Sequence, residues 1–263
     1  MQNTPTRTAQ EQFDRQATHY NAQWNQWSEE TLRWLLEHSD AQPTDTLLDV
    51  ATGTGFTALA FAPHVASVVG LDVSTGMLAQ ARLRAEEQEI VNAAFVEGSA
   101  ESIPYPDAAF DLVTCRIAPH HFLSVPQFLS ETARVLKPGG RLLLGDTTVP
   151  DDNYEAAVWQ NSVETLRDPS HVRNYTPSEW CGFVDDAGLT VTDHDASGGI
   201  GITLADWMIK GGCTPEQSDA VRAQFTGAPA SVAAAYQIET LADGDIRFVW
   251  QRVVLKAVKQ LDE

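Results

Sequence analysis

Short apolar runs alternate with stretches of helical spacing through the first 150 residues. Leu47-Leu48-Asp49-Val50, and the runs at 67–72, 94–97, 110–115 and 141–146, read as strands buried in a parallel sheet. Such strands are covered on both faces and so lose the apolar–polar alternation. The segments 56–63, 74–89 and 125–136 between them carry helical spacing. Ser74 is an N-cap for the second, and Lys137-Pro138-Gly139-Gly140 stops the third. Two helical stretches precede the first strand, at 8–20 with Phe13, Ala17 and Tyr20, and at 29–38 with Leu32, Leu35 and Leu36. Beyond residue 150 a helix is predicted at 153–167. Another runs from the Thr176-Pro177 start, with Glu179 behind it, to 187, where Gly188 caps it. A sixth strand alternates at 189–194, and a Val- and Trp-rich seventh runs over 246–258.

Strand, turn and helix meet most tellingly at Asp49-Val50-Ala51-Thr52-Gly53-Thr54-Gly55-Phe56. The glycines permit a sharp turn and a close approach of backbone to a ligand. The helix that follows presents unpaired N–H groups. Asp72, at the tip of the second strand, is spaced to accept hydrogen bonds from a ribose diol. Two ligand classes use this geometry, a dinucleotide and S-adenosylmethionine. Asp49, just before the turn, favours the second: an anion suits an ammonium and a sulfonium and is an odd neighbour for a pyrophosphate.

Composition narrows the rest. The 263 residues hold 43% hydrophobic side chains, enough for a sizeable core in one large α/β domain. A formal net charge of −19 argues against nucleic acid and anionic membrane as partners. Cys115, Cys181 and Cys213 show no metal or disulfide spacing. With no apolar leader or spanning run in the sequence, a cytoplasmic protein is expected, as a monomer or homodimer.

The motifs together resemble the class I S-adenosylmethionine-dependent methyltransferases, most of all the small-molecule enzymes of ubiquinone and menaquinone biosynthesis. The resemblance covers residues 45–147 and rests on five segments. They are Asp49–Gly55, Leu71-Asp72-Val73-Ser74, Gly98-Ser99-Ala100-Glu101-Ser102-Ile103-Pro104, Phe110-Asp111-Leu112-Val113, and Glu131-x-x-Arg134-Val135-Leu136-Lys137-Pro138-Gly139-Gly140. It implies a Rossmann-like, mostly parallel seven-stranded sheet with an antiparallel last strand and helices on both faces. S-adenosyl-L-methionine is the implied cofactor, bound by Phe13, Tyr20, Asp49, Ala51, Gly53, Gly55, Asp72, Val73, Met77, Ser99, Ala100, Glu101 and Arg116. Ser99 departs from the acid many relatives carry there.

The domain reading is one methyltransferase domain over 1–263, with leading helices at 1–40 over the cofactor and helical lid insertions at 150–175 and 196–245. The second insertion carries helical stretches at 204–209, 215–225 and 231–241, far more chain than a hairpin needs. Methyl transfer to a small organic acceptor is an in-line displacement, for which the protein supplies alignment, exclusion of water and often a base near neutrality. His120 and His121, after the fourth strand, are the candidate bases, one at most facing the acceptor. Carbon is the favoured methylated atom on resemblance alone, with oxygen and nitrogen open. No metal is expected. Candidate substrate contacts are Asp168, His171 and Arg173, with Tyr154 and Tyr175 for a phenolic acceptor. Trp159, Trp180 and Trp207 are read either as pocket wall or as core. The alternatives are an NAD-dependent oxidoreductase and a cofactor-binding regulatory protein without turnover.

Overall fold

The computed structural model describes residues 8–16 and 25–261. Helices α1 (Ala9–Gln16) and α2 (Asn25–His38) lead into strand β1 (Thr46–Val50). Helix α3 (Phe56–Phe61), strand β2 (Ser67–Asp72), helix α4 (Thr75–Glu87) and strand β3 (Ala93–Glu97) follow, then strand β4 (Phe110–Arg116), helix α5 (Val125–Val135) and strand β5 (Leu136–Thr148). The second half holds α6 (Tyr154–Arg167), α7 (Pro177–Asp186), β6 (Leu189–Asp195), β7 (Gly199–Thr203), α8 (Leu204–Gly211), α9 (Pro215–Thr226), α10 (Ala230–Ala235), β8 (Glu239–Thr240) and β9 (Ile246–Lys259).

The sheet runs β3-β2-β1-β4-β5-β9-β6, with β7 and β8 also paired to β9. Strands β1 to β5 are mutually parallel, and β9 is antiparallel to β5, β6, β7 and β8. The seven-stranded sheet with an antiparallel strand is therefore present, and two short strands extend it along β9. Strand order reverses between β2-β1 and β4-β5. In an open parallel sheet that switch point opens a crevice at the carboxyl ends of the strands.

Because neighbouring strand residues point to opposite faces, Leu47 and Leu48 enter different cores. Leu48, Val50, Val113 and Leu144 pack with Phe128 of α5 and Trp180 of α7 on one face. Leu47, Leu112 and Leu143 pack with Leu35, Ala58 and Leu78 on the other. A third core gathers Trp159, Trp207, Phe225, Tyr236, Phe248 and Trp250 beside the first half of β9. The stretch predicted helical at 231–241 is helix only as far as Ala235; its end turns into β8, which pairs with β9. Trp159, Trp180 and Trp207 are all core residues.

Candidate active site

A cavity of about 330 Å³ opens at the switch point. Its walls come from the carboxyl ends of β1 to β4, and α1 covers it with Ala9, Gln10 and Phe13. The turn after β1 contributes Ala51, Thr52, Gly53 and Thr54, the tip of β2 gives Asp72 and Val73, and α4 gives Met77. Ser99, Ala100 and Glu101 follow β3; Arg116, Ile117, Ala118, His121, Phe122 and Leu123 follow β4. Of the sequence candidates, the fold thus gathers Phe13, Ala51, Gly53, Asp72, Val73, Met77, Ser99, Ala100, Glu101, Arg116 and His121 around one space. Tyr20 lies outside the described residues.

Backbone conformation shapes the turn. Gly53 has φ 55°, and a Cβ built there meets no atom within 4 Å, so its open side is free for a ligand. Gly55, at φ 83°, is not on the wall; a Cβ there would come within 3.1 Å of the Ala81 Cβ and 3.3 Å of the Phe95 ring. It is glycine so that α3 can pack, not so that a ligand can approach. Ala51 and Ile117, both on the wall, also hold left-handed backbone at φ 53°. For a β-branched residue this is strained, and such strain concentrates where a ligand is gripped.

Asp49 is 1% exposed and does not line the cavity. Its Oδ2 accepts hydrogen bonds from the Thr52 hydroxyl at 2.6 Å and the Ala58 N–H at 3.2 Å, and its Oδ1 from the Thr114 hydroxyl at 2.7 Å. The expected charge beside the ligand is therefore a brace tying the turn to α3 and β4. Burial pushes its carboxyl up to about 6 despite those bonds. Asp72 reaches the wall, accepting from Gly53 N–H at 2.8 Å and Ser74 N–H at 2.9 Å. Burial, more than those bonds, sets the direction of its shift, which is upward. Arg116 donates through Nε to the Thr57 hydroxyl at 2.9 Å. Among the described wall residues Arg116 is the lone cation, against Asp72 and Glu101. This acidic bias matches a cationic ligand and leaves a pyrophosphate poorly compensated.

The two adjacent histidines differ. The His120 Nδ1 lies 2.7 Å from Asp146 Oδ1, and its backbone N–H donates to Asp146 Oδ2 at 2.9 Å. Burial alone would lower its pKa, but the charge and hydrogen bond of Asp146 raise it. His121 is the one on the wall, with the Phe13 ring edge-on at 5.0 Å. Burial, then the neighbouring His120 charge, pull it down to about 4. Its Nδ1 lies 3.1 Å from the Ser170 hydroxyl and 3.2 Å from the Ser170 carbonyl oxygen.

The remaining substrate candidates lie off the described wall. Tyr154 is 84% exposed at the start of α6. Tyr175 is 2% exposed, packed against Trp180 and Phe183. Arg173 pairs with Glu179 at 2.5 Å rather than standing open to an acid. His171 is buried, with Nε2 3.0 Å from Asn161 Oδ1, and Asp168 accepts from Ser170. Sequence reasoning missed Asp14, whose carboxylate accepts from the Ser74 hydroxyl at 2.5 Å and so fastens α1 to the start of α4. It also missed Asp146, Ser170, Phe56 and Leu123. The segment 116–122 is legible as cleft-side from its place after the fourth strand, but which of its side chains form the apolar wall is not.

A doubly wound sheet with an acid-tipped second strand and an acid-biased crevice at its switch point is the arrangement expected of a Rossmann-like S-adenosylmethionine-dependent methyltransferase. Residues 48–144 match the family described as Methyltransferase domain. Over 232 residues the chain is 32% identical to the uncharacterized methyltransferase YcgJ of Bacillus subtilis (strain 168), spanning 88% of this chain and 91% of that one. The YcgJ crystal structure superposes with TM-score 0.83 at 31% identity, covering 89% of this chain and 100% of that chain. A demethylmenaquinone methyltransferase of Symbiobacterium thermophilum is 37% identical over 156 residues, 55% of this chain and 61% of its own length. Geranyl diphosphate C-methyltransferase of Streptomyces coelicolor A3(2), solved with S-adenosyl-L-homocysteine, shares the fold at TM-score 0.64 and 17% identity, over 92% of this chain and 83% of that chain. The chain belongs to the methyltransferase family that includes YcgJ. It is a methyltransferase, and its cofactor is S-adenosyl-L-methionine.

Proposed function

We propose that this chain methylates a small, flat and largely apolar acceptor, at carbon by preference, with His121 taking the acceptor's proton. The observation that carries the reading is the position of His121: an imidazole on the cavity wall among Phe13, Ile117, Ala118, Phe122 and Leu123. Those side chains favour an apolar ring, and the single polar group among them is suited to a hydroxyl or an acidified C–H. The preference for carbon is supported by the similarity to a ubiquinone/menaquinone biosynthesis C-methyltransferase of Methylobacterium nodulans, 34% identical over 189 residues.

When bound, the cofactor supplies an electrophilic methyl group on sulfur. Asp72 would hold the ribose hydroxyls, Met77 and Ala100 would flank the adenine, and the turn at Ala51 to Gly53 with Arg116 would hold the amino-acid end. Helix α1, with Phe13 against His121, would exclude water. His121 would receive the proton that the acceptor sheds, and the His120–Asp146 pair would stand behind it. The loop at 170–173 supports this reading: the Val172 and Arg173 N–H groups donate to the His120 carbonyl at 2.9 and 3.1 Å, and Ser170 faces the His121 Nδ1.

Calorimetric titration with S-adenosyl-L-homocysteine, with NAD as comparison, tests the cofactor site. A panel of hydroxyarenes and quinols with labelled S-adenosyl-L-methionine then tests the acceptor, and product NMR locates the methyl group. His121→Gln is expected to lower transfer about 10²- to 10⁴-fold, the range for loss of a general base. Transfer at the wild-type rate in that variant would remove His121 from the chemistry. A product methylated at oxygen would remove the preference for carbon.

A further inference from the structure

The polar groups behind His121 decide which of its nitrogens is bare. The Ser170 carbonyl oxygen, 3.2 Å from Nδ1, can only accept a hydrogen bond. The Ser170 hydroxyl, 3.1 Å from the same nitrogen, has its own proton engaged: it donates to Asp168 Oδ1 at 2.7 Å. Both groups facing Nδ1 therefore present lone pairs. An unprotonated Nδ1 would set three lone pairs against one another, so the proton of the neutral ring sits on Nδ1. Nε2 has no protein partner among the described residues, and the ring lines the cavity. Asp168 is 6% exposed, and a second bond, from the Ser170 N–H at 2.9 Å, fixes the same carboxylate oxygen.

We infer that Ser170 and Asp168 are positioning residues that hold His121 as its Nδ1–H tautomer, leaving Nε2 as the nitrogen that receives the acceptor's proton. This deepens the proton-acceptor reading and rests on it for its catalytic meaning. In the step itself the acceptor forms its bond to the methyl carbon, the sulfur–methyl bond breaks with its electron pair going to sulfur, and the acceptor's proton passes to Nε2. The imidazolium so formed keeps its Nδ1–H on Ser170, and the Asp168 carboxylate beyond it lies close enough to favour the positive charge. Among the described residues, the charged and titratable groups around the ring are His120 at 4.2 Å and His171 at 6.5 Å between ring centres, with Asp146, Asp168, Glu164 and Arg167 behind them. The Asp168 carboxyl is held below its ordinary range: burial opposes ionisation, but the two Ser170 bonds and the nearby Arg167 charge favour it. Asp168 was read from sequence as a substrate contact; its place in this chain gives it a different role.

The test is a long-range proton–nitrogen NMR spectrum of the full chain labelled with ¹⁵N-histidine, with His121 assigned from the peaks lost in His121→Gln. Wild type is expected to show the Nδ1–H tautomer at neutral pH. In Asp168→Asn the amide can donate to the Ser170 oxygen, freeing the hydroxyl to donate to Nδ1; the Nε2–H tautomer should become the major one. Ser170→Ala keeps the carbonyl and should shift the population partway. Both variants should bind S-adenosyl-L-homocysteine within twofold of wild type, which also reports folding, while transfer in Asp168→Asn falls at least tenfold. An Nε2–H wild-type ring, or a tautomer unchanged in both variants, overturns the inference. The spectrum reads the ring directly. Wild-type transfer by His121→Gln would therefore overturn the proton-acceptor reading while leaving the tautomer result in place.

Discussion

Asp72 spends both carboxylate oxygens on backbone N–H groups, one on the glycine turn and one on the start of α4. It stands on the cavity wall and is a tie across the mouth of the crevice. Asp72→Ala is expected to weaken S-adenosyl-L-homocysteine binding by about 1–3 kcal/mol, the cost of losing a charged hydrogen-bonding partner, as read by calorimetry. Unchanged affinity would take Asp72 out of the site. A second prediction concerns the His120–Asp146 pair. The folded-state pKa of His120 is raised above the ordinary imidazole value of 6.5. Folded protein then holds the proton more tightly than unfolded chain, so the pair's contribution is fully present below 6.5 and is lost as pH rises through the raised value. Asp146→Asn should therefore narrow its deficit in melting temperature as pH rises across that window. Melts of the two proteins that run parallel across the imidazole range would contradict it. Asp146 also accepts from Thr147 N–H, so only the slope, not the offset, is diagnostic. At this scale the sequence was partly readable. Asp72 follows from its offset beyond the glycines, because a strand tip has one place to put an acid. Asp49 did not: its charge was legible but its direction was not, since Thr52 and Thr114 claim it from two different elements. Nothing at Ile117 announces left-handed backbone, because an isoleucine gives no local reason to adopt it.

Elements were legible where their signals are local. Thr176 and Glu179 form the reciprocal capping box that the spacing predicts, each side chain closing on the other's backbone N–H, at 3.2 and 2.9 Å. Thr176→Ala should cost about 1 kcal/mol of stability, seen as a lower denaturation midpoint at unchanged slope; a shift within error would show that Pro177 and the Trp180 packing suffice to start α7. Strand β7 was missed because Gly199-Ile200-Gly201-Ile202 is short and broken by glycine. It is a strand only because β9 offers a long edge, pairing Gly199 to Thr203 against Arg247 to Gln251. The end of the 231–241 stretch fails as helix for the same reason. Its helical spacing stops mattering once Glu239 and Thr240 meet Arg247 and Ile246. Long-range pairing overrides local preference at both places.

Taken whole, the molecule is one sheet serving three cores, and β9 belongs to all of them. Val253, Leu255 and Ala257 face the first core, Val254 the second, and Ile246, Phe248 and Trp250 the third. The third core is built from helices of the two stretches expected as lid insertions, and none of its side chains is on the described cavity wall. Its link to the site is instead through α6. One side of that helix packs Trp159 against Trp250 at 6.1 Å, while Asn161 bonds His171, whose ring centre lies 6.5 Å from that of His121. Trp250→Ala separates the two roles. The ring is 2% exposed and touches Trp159, Trp207, Phe225, Tyr236 and Phe248, so its loss should cost about 3–5 kcal/mol. Cofactor affinity should nonetheless change little in the folded variant, because the wall built on β1 to β4 is untouched. Methyl transfer should fall, since a displaced α6 carries Asn161 and the 168–175 loop away from His121. A tenfold loss of S-adenosyl-L-homocysteine affinity in a variant still folded at the assay temperature would show that the third core reaches over the cofactor after all, as a lid does.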